Sequence, residues 1–150
     1  MRQDDQAYAQ PGWDYGQSKI GVVFARLRTQ DGRHLFTVKQ PVANEQACLE
    51  YESTVADREQ MHQAIVMMGW RPTVRIVKTR RTAALEGLNV CVDEVEYAGI
   101  FMELERTVSA QESGADVQAE LDAWARSLGV ALERTGDTYD SLVRSAVAAA

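Results

Sequence analysis

The sequence predicts an α+β fold: a mostly antiparallel β sheet of two-faced strands, flanked by helices. Three observations carry this. Segment after segment alternates charged and apolar residues with period two, as strands with one polar and one apolar face do. The dipeptides Asp31-Gly32 and Glu86-Gly87 sit between such segments and mark hairpin turns. After residue 107 the pattern changes to helical spacing, with Val117, Leu121, Trp124 and Leu128 in one stripe.

At 150 residues, 45% hydrophobic and 25% charged, the chain is expected to form one domain with a real core. A net charge of −6 provides no global basic field, which argues against nucleic acid or an acidic membrane surface as partner. The polar start, Met1 to Gln6, is no signal peptide, and no apolar run approaches membrane-spanning length. The expected location is therefore the cytoplasm. Cys48 and Cys91 form no close-spaced metal motif and are expected as reduced, buried thiols.

Residues 1–18 are polar, carry Pro11, Gly12 and Gly16, and read as an opening loop. Residues 19–107 hold the barrel strands. The first, Ile20 to Thr29, puts Arg26 and Arg28 on one face and Val23, Ala25 and Leu27 on the other. The return strand, Arg33 to Gln40, carries Leu35, Thr37 and Lys39 on one face and Phe36 and Val38 on the other; Pro41 ends it. Ala47 to Thr54 pairs Glu50 with Glu52 on one face, against Leu49 and Tyr51. A helix follows over about 57–68, capped by Asp57 and stopped by Gly69, with Met61, Ile65 and Met68 as its packing side. Thr73 to Arg81 is a strand with Lys78 and Arg80 together. Leu88 to Val95 places Asp93 beside Val95, and Gly99 to Thr107 places Glu103 beside Glu105, opposite Met102 and Leu104. Residues 113–150 supply the C-terminal helices: one capped by Ser113 and ended by Gly129, and one from about Asp137 or Thr138 that packs through Tyr139, Leu142 and Val143. A short strand over Ala131 to Arg134 lies between them.

The charge on these strands is sorted. Arg26, Arg28, Lys39, Lys78 and Arg80 are cationic; Glu50, Glu52, Asp93, Glu103 and Glu105 are anionic. Repeating one sign at positions i and i+2 is costly unless opposite charge lies over it. Two readings follow. A ladder of salt bridges across the sheet needs no ligand. A barrel with charged faces inward makes a polar tunnel, its apolar outside partly covered by the amphipathic helices. The tunnel's guanidinium and ammonium groups suit a polyphosphate, and its carboxylates suit Mg²⁺ or Mn²⁺. His34 and His62 are isolated and are expected to be structural.

The ordered set Arg26-Leu27-Arg28, Lys39, Leu49-Glu50-Tyr51-Glu52, Met68-Gly69-Trp70, Lys78-Thr79-Arg80-Arg81, Asp93-Glu94-Val95-Glu96 through Glu103-Leu104-Glu105, and Thr138-Tyr139-Asp140-Ser141-Leu142 resembles the CYTH superfamily. That group holds the class IV adenylate cyclases and the thiamine triphosphatases, also called triphosphate tunnel metalloenzymes. The resemblance implies a tunnel acting on ATP or another triphosphate with Mg²⁺ or Mn²⁺. By motif, Arg26, Arg28, Lys39, Lys78 and Arg80 would hold phosphates; Asp93, Glu103 and Glu105 would lie at the metal; Glu50 and Glu52 would support. The form around Asp93 to Glu105 is most similar to the cyclase branch, which would turn ATP into cyclic AMP and pyrophosphate; a thiamine or inorganic triphosphatase is the alternative. The family opens with a Glu-x-Glu-x-Lys strand and a helix that this chain lacks. Gln6-Ala7-Tyr8 and Pro11 are similar to the segment after them, with Gln6 where aspartate is usual. The departure, a barrel short of one wall and of a proposed base, implies a true start further upstream, a shortened nucleotide- or polyphosphate-binding module without turnover, or an edge that another chain pairs with, as in a homodimer.

Overall fold

A computed structural model describes residues 1–150. Seven strands form one sheet: β1 (Arg2–Ala9), β2 (Phe24–Gln30), β3 (Arg33–Pro41), β4 (Cys48–Val55), β5 (Arg71–Leu85), β6 (Leu88–Val95) and β7 (Gly99–Glu105). Three helices accompany them: α1 (Arg58–Met67), α2 (Gly114–Ser127) and α3 (Tyr139–Ala148). The strand order is β4-β3-β2-β1-β5-β6-β7, antiparallel at every neighbouring pair. The α+β class and the antiparallel sheet are as expected. The sheet is not closed, since β4 and β7 remain its two edges.

The largest correction concerns residues 1–18. Residues 2–9 are not a loop but the central strand, paired to β2 on one side and β5 on the other. The segment Arg2-Gln3-Asp4-Asp5-Gln6 has no apolar face to announce it. Its two aspartates are held by ion pairs instead, Asp5 with Arg28 on one face and Asp4 with Arg58 and Arg75 on the other. Residues 20–23 lie outside β2, and residues 131–134 join no strand.

Both hairpin turns form as the dipeptides predict. Asp31 and Gly32, like Glu86 and Gly87, take positive φ at both positions, which suits the right-handed twist of the flanking strands. Asp57 caps α1 by accepting from the Gln60 amide, and Gly69 follows the helix end with φ +92°.

The two faces of the sheet have different covers. On the apolar face, α1 seals Tyr8, Ala25 and Leu27 under Ile65, with Phe36, Val38, Met61 and Trp70 around them. Met68 is not part of this core but exposed, as is Met67. The helices were expected to cover the apolar outside, but α3 lies on the charged face. There Val143 packs on Ile76 and Val95, and Tyr139 on Phe101. Ile76, Val95 and Phe101 are apolar residues on the charged face, and they seat the helix.

The chain after β7 also returns to the opposite edge. Asn44 donates to Gln118 of α2, and Gln46 donates to the Thr135 carbonyl. Lys19 donates to Thr138 and Ser141 at 2.9 Å each and pairs with Glu45. Residues 106–138 thus link the two sheet edges without strand pairing. Cys91 is buried and Cys48 half-buried rather than buried, both as free thiols. No helix is long and apolar enough to cross a membrane.

Candidate functional site

Alternation along each strand and the register between strands put every predicted site residue on one face. Across the sheet, Glu50 lies opposite Lys39, Glu52 opposite Thr37, Thr37 opposite Arg26, and Arg28 opposite Asp5. Gln3 lies opposite Lys78 and Arg80 opposite Asp93. Glu103 and Glu105 stand on the neighbouring β7, opposite Cys91 and Asn89. From β4 to β7 the order is anionic, cationic, cationic, anionic, cationic, anionic, anionic.

Each predicted cation already has a carboxylate partner. On the β5–β7 side, Asp93 is fully buried and accepts from Lys78 at 2.7 Å and from Arg80 Nε at 2.7 Å; Arg80 also reaches Glu103. In the middle, Arg28 grips Asp5 through two parallel bonds of 2.7 Å. Toward β4, Arg26 reaches the Thr37 hydroxyl at 3.1 Å and Glu52 at 3.4 Å; Thr37 donates to Glu52 at 2.7 Å; Lys39 pairs with Glu50 at 2.7 Å. The salt-bridge ladder is therefore present across the sheet.

The carboxylates fall into two classes by exposure. Asp5 and Asp93 are buried, so water does not compete for their partners. Such pairs hold cations in place, and losing one partner strands the other. The side chains of Glu50, Glu52 and Glu103 are 46%, 44% and 32% exposed, and Glu105 is exposed and makes no bond. Exposed pairs of this kind contribute only about 0–1 kcal/mol, so a stronger anion can displace them.

The electrostatics follow the same division. Burial alone would raise the Asp93 pKa, but the hydrogen bonds from Arg80 and Lys78 outweigh it and hold the carboxyl below its usual range. Burial lowers the Lys78 ammonium despite Glu103 and Asp93 beside it. Burial, then Arg28 nearby, lowers Arg26. Cations this dry and crowded favour an incoming polyanion.

A bare divalent ion finds no seat among these residues. No three acidic, histidine or cysteine side chains gather within ligating reach. Both Asp93 oxygens are taken, and Arg80 stands between Asp93 and Glu103 where an ion would sit. Glu103 keeps one free oxygen and Glu105 both.

Three residues of this face went unrecognised in the sequence. Gln3 and Asp5 lie on the strand read as a loop. No alternation marks them, since Gln3, Asp5 and Ala7 differ little in polarity from Asp4, Gln6 and Tyr8. Tyr139 was read as packing alone, yet its ring lies 4.5 Å from the Lys78 ammonium. Nothing in its helical spacing could show that α3 crosses to the charged face. His34 and His62 bond Thr29 and Tyr8 and take no part in the site, which agrees with their structural reading.

Comparison with known proteins gives the same architecture. The CYTH domain matches residues 2–136. A Methanocaldococcus jannaschii protein with the provisional name adenylate cyclase is 31% identical over 86 residues, 56% of this chain and 49% of that protein. The match thus spans about half of that relative's length. A Pyrococcus horikoshii protein of solved structure superposes with TM-score 0.80 at 24% identity, over 96% of this chain and 84% of that one. A Hippeastrum protein provisionally named an adenylyl cyclase, for which a dominant triphosphatase activity is described, superposes with TM-score 0.62 at 16% identity, over 96% of this chain and 81% of that one.

Proposed function

The chain belongs to the CYTH domain family, and from that premise we propose that its charged face binds a triphosphate and that its leading activity is adenylate cyclisation. The observation that carries this is the sorting of carboxylates. Buried Asp5 and Asp93 hold Arg28, Lys78 and Arg80 in fixed positions, while exposed Glu50 and Glu52 merely occupy Lys39 and Arg26 until a phosphate replaces them. Arg26, Arg28 and Arg80 can offer charge-assisted donors to phosphate oxygens, with Lys39 and Lys78 as point charges. In cyclisation the 3′-hydroxyl of ATP attacks the α-phosphorus and pyrophosphate leaves. Preorganised cations then neutralise the charge that builds on the leaving group. The hydroxyl proton leaves to solvent water as the new P–O bond forms and the bond to pyrophosphate breaks.

The Mg²⁺ or Mn²⁺ enters this reading with its triphosphate, not ahead of it. Glu105 and the free oxygen of Glu103 are the residues that would offer it oxygen ligands. Converting both to glutamine is expected to weaken binding of the metal–triphosphate complex about tenfold or more and to leave binding of metal-free tripolyphosphate nearly unchanged. Calorimetric titration with and without Mg²⁺ checks this; equal effects on both ligands would remove the metal role.

A second reading, triphosphate hydrolysis, draws on the activity described for the Hippeastrum structural neighbour. A ³¹P NMR time course with ATP and with tripolyphosphate, under Mg²⁺ and then Mn²⁺, separates the two. Pyrophosphate with cyclic AMP supports the cyclase; orthophosphate supports the triphosphatase. Binding without any product makes the chain a triphosphate-binding module. No binding at all overturns the proposal.

A further inference from the structure

Three buried side-chain polar atoms in this protein have no hydrogen-bond partner: Gln3 Oε1, Arg26 Nε and the Tyr139 hydroxyl. Buried polar groups are bonded in the great majority of cases, so each such atom calls for a reason. All three belong to the same face of the sheet. Gln3 and Arg26 stand on that face by strand register, and Tyr139 is laid against it by α3. The opposite face, with its larger apolar core, has none. The two donors among them, Arg26 Nε and the Tyr139 hydroxyl, lie on the face that carries the sorted charge and point to an anionic acceptor, whereas Gln3 Oε1 is itself an acceptor and calls for a donor.

Tyr139 is the most informative of the three. It is the first residue of α3, and its ring is fixed from two sides: edge-on against Phe101 at 5.3 Å between centroids, and beside the Lys78 ammonium at 4.5 Å. Lys19 anchors the same helix start through Thr138 and Ser141. The ring is thus well packed while the hydroxyl bonds nothing. Burial first, then the Glu103 and Asp93 carboxylates, push the phenol well above its ordinary pKa. The group therefore stays protonated and neutral, able to donate. Both carboxylates lie close beside it, and it makes no well-aligned hydrogen bond to either. An anion held by Lys78 and Arg80 would place an oxygen where that hydrogen could go.

We propose that Tyr139 is a ligand-contacting residue: its hydroxyl donates to a phosphate oxygen of the triphosphate bound at Lys78 and Arg80. This inference rests on the triphosphate reading given above and adds a residue to it. It also gives α3 a role, since a helix seated by Val143 and Phe101 and bonded to ligand through Tyr139 becomes one wall of the site.

Tyr139→Phe tests it with little disturbance, because the ring and its packing remain and only an unpartnered hydroxyl is lost. Wild type and Y139F are titrated calorimetrically with ATP and with inorganic tripolyphosphate, each with Mg²⁺, and both are melted without ligand. The expected result is an unchanged melting temperature of the free protein and affinity weakened about tenfold or more for both ligands, as losing a hydrogen bond to a charged group should give. If the wild type binds and Y139F binds within twofold of it, the Tyr139 assignment is overturned and the triphosphate site stands. If the wild type binds neither ligand, the site itself falls and Tyr139 with it. If Y139F melts well below the wild type without ligand, the hydroxyl is a structural group and the proposal is again overturned.

Discussion

Replacing Asp93 by asparagine is expected to lower the stability of the fold by about 3–5 kcal/mol, the cost of stranding buried charge. Asp93 is fully buried and is the shared partner of Lys78 and Arg80. Lys78 is itself 4% exposed, so water cannot take the place of the lost carboxylate. The loss is read in urea melts, where the midpoint should fall with an unchanged slope. The pH dependence has a definite sign. The Asp93 carboxyl lies below its ordinary range in the folded chain, so its stabilisation is complete above the unfolded value of about 3.9. It disappears as pH falls through the lower folded pKa. Wild type should therefore lose stability in acid below about pH 4, and D93N should lose less over the same window. Tripolyphosphate, supplying negative charge to the same two cations, should raise the D93N midpoint more than that of wild type. An equal rise in both would mean that the anion binds elsewhere.

The sequence disclosed the strands from β2 to β7, their faces and the sorting of their charge, because period-two alternation is a direct consequence of the pleat. It disclosed both hairpin turns because glycine beside Asp31 and Glu86 marks positive φ. It concealed β1 for a physical reason. Strand signals rest on an apolar face, and Gln3, Asp4, Asp5 and Gln6 have charged or polar partners on both faces. Only the knowledge that Arg28 lies across from Asp5 makes those polar residues a strand, and that knowledge is tertiary. The same limit hid Tyr139. Its spacing on α3 is that of any packing residue, and its position over Lys78 depends on which side of the sheet the helix takes. The two alternatives read from the charge pattern, ladder and anion site, also turn out to be compatible. The ladder is the resting arrangement of the groups that would hold the anion, and exposure separates its fixed rungs from its exchangeable ones.

The Asp5–Arg28 pair separates structural from binding energy. Asp5→Leu and Arg28→Met should each destabilise by about 3–5 kcal/mol, since each leaves one buried charge without its partner. The double variant should recover most of that loss. Two hydrocarbons can occupy the space of a buried ion pair at little net cost, and the coupling between contacting sites is then large and favourable. Urea melts of the four proteins measure the cycle. The double variant should nonetheless bind tripolyphosphate about tenfold or more weakly, because the proposed site counts Arg28 among its donors. A restored fold with lost affinity assigns Arg28 to the site and Asp5 to its positioning. A restored fold with wild-type affinity makes the central rung a structural strut and confines the anion to Lys78, Arg80, Arg26 and Lys39. A double variant as unstable as the singles would show that β1 depends on this ion pair for its place between β2 and β5. The chain would then have built its central strand on the charge that its ligand site requires.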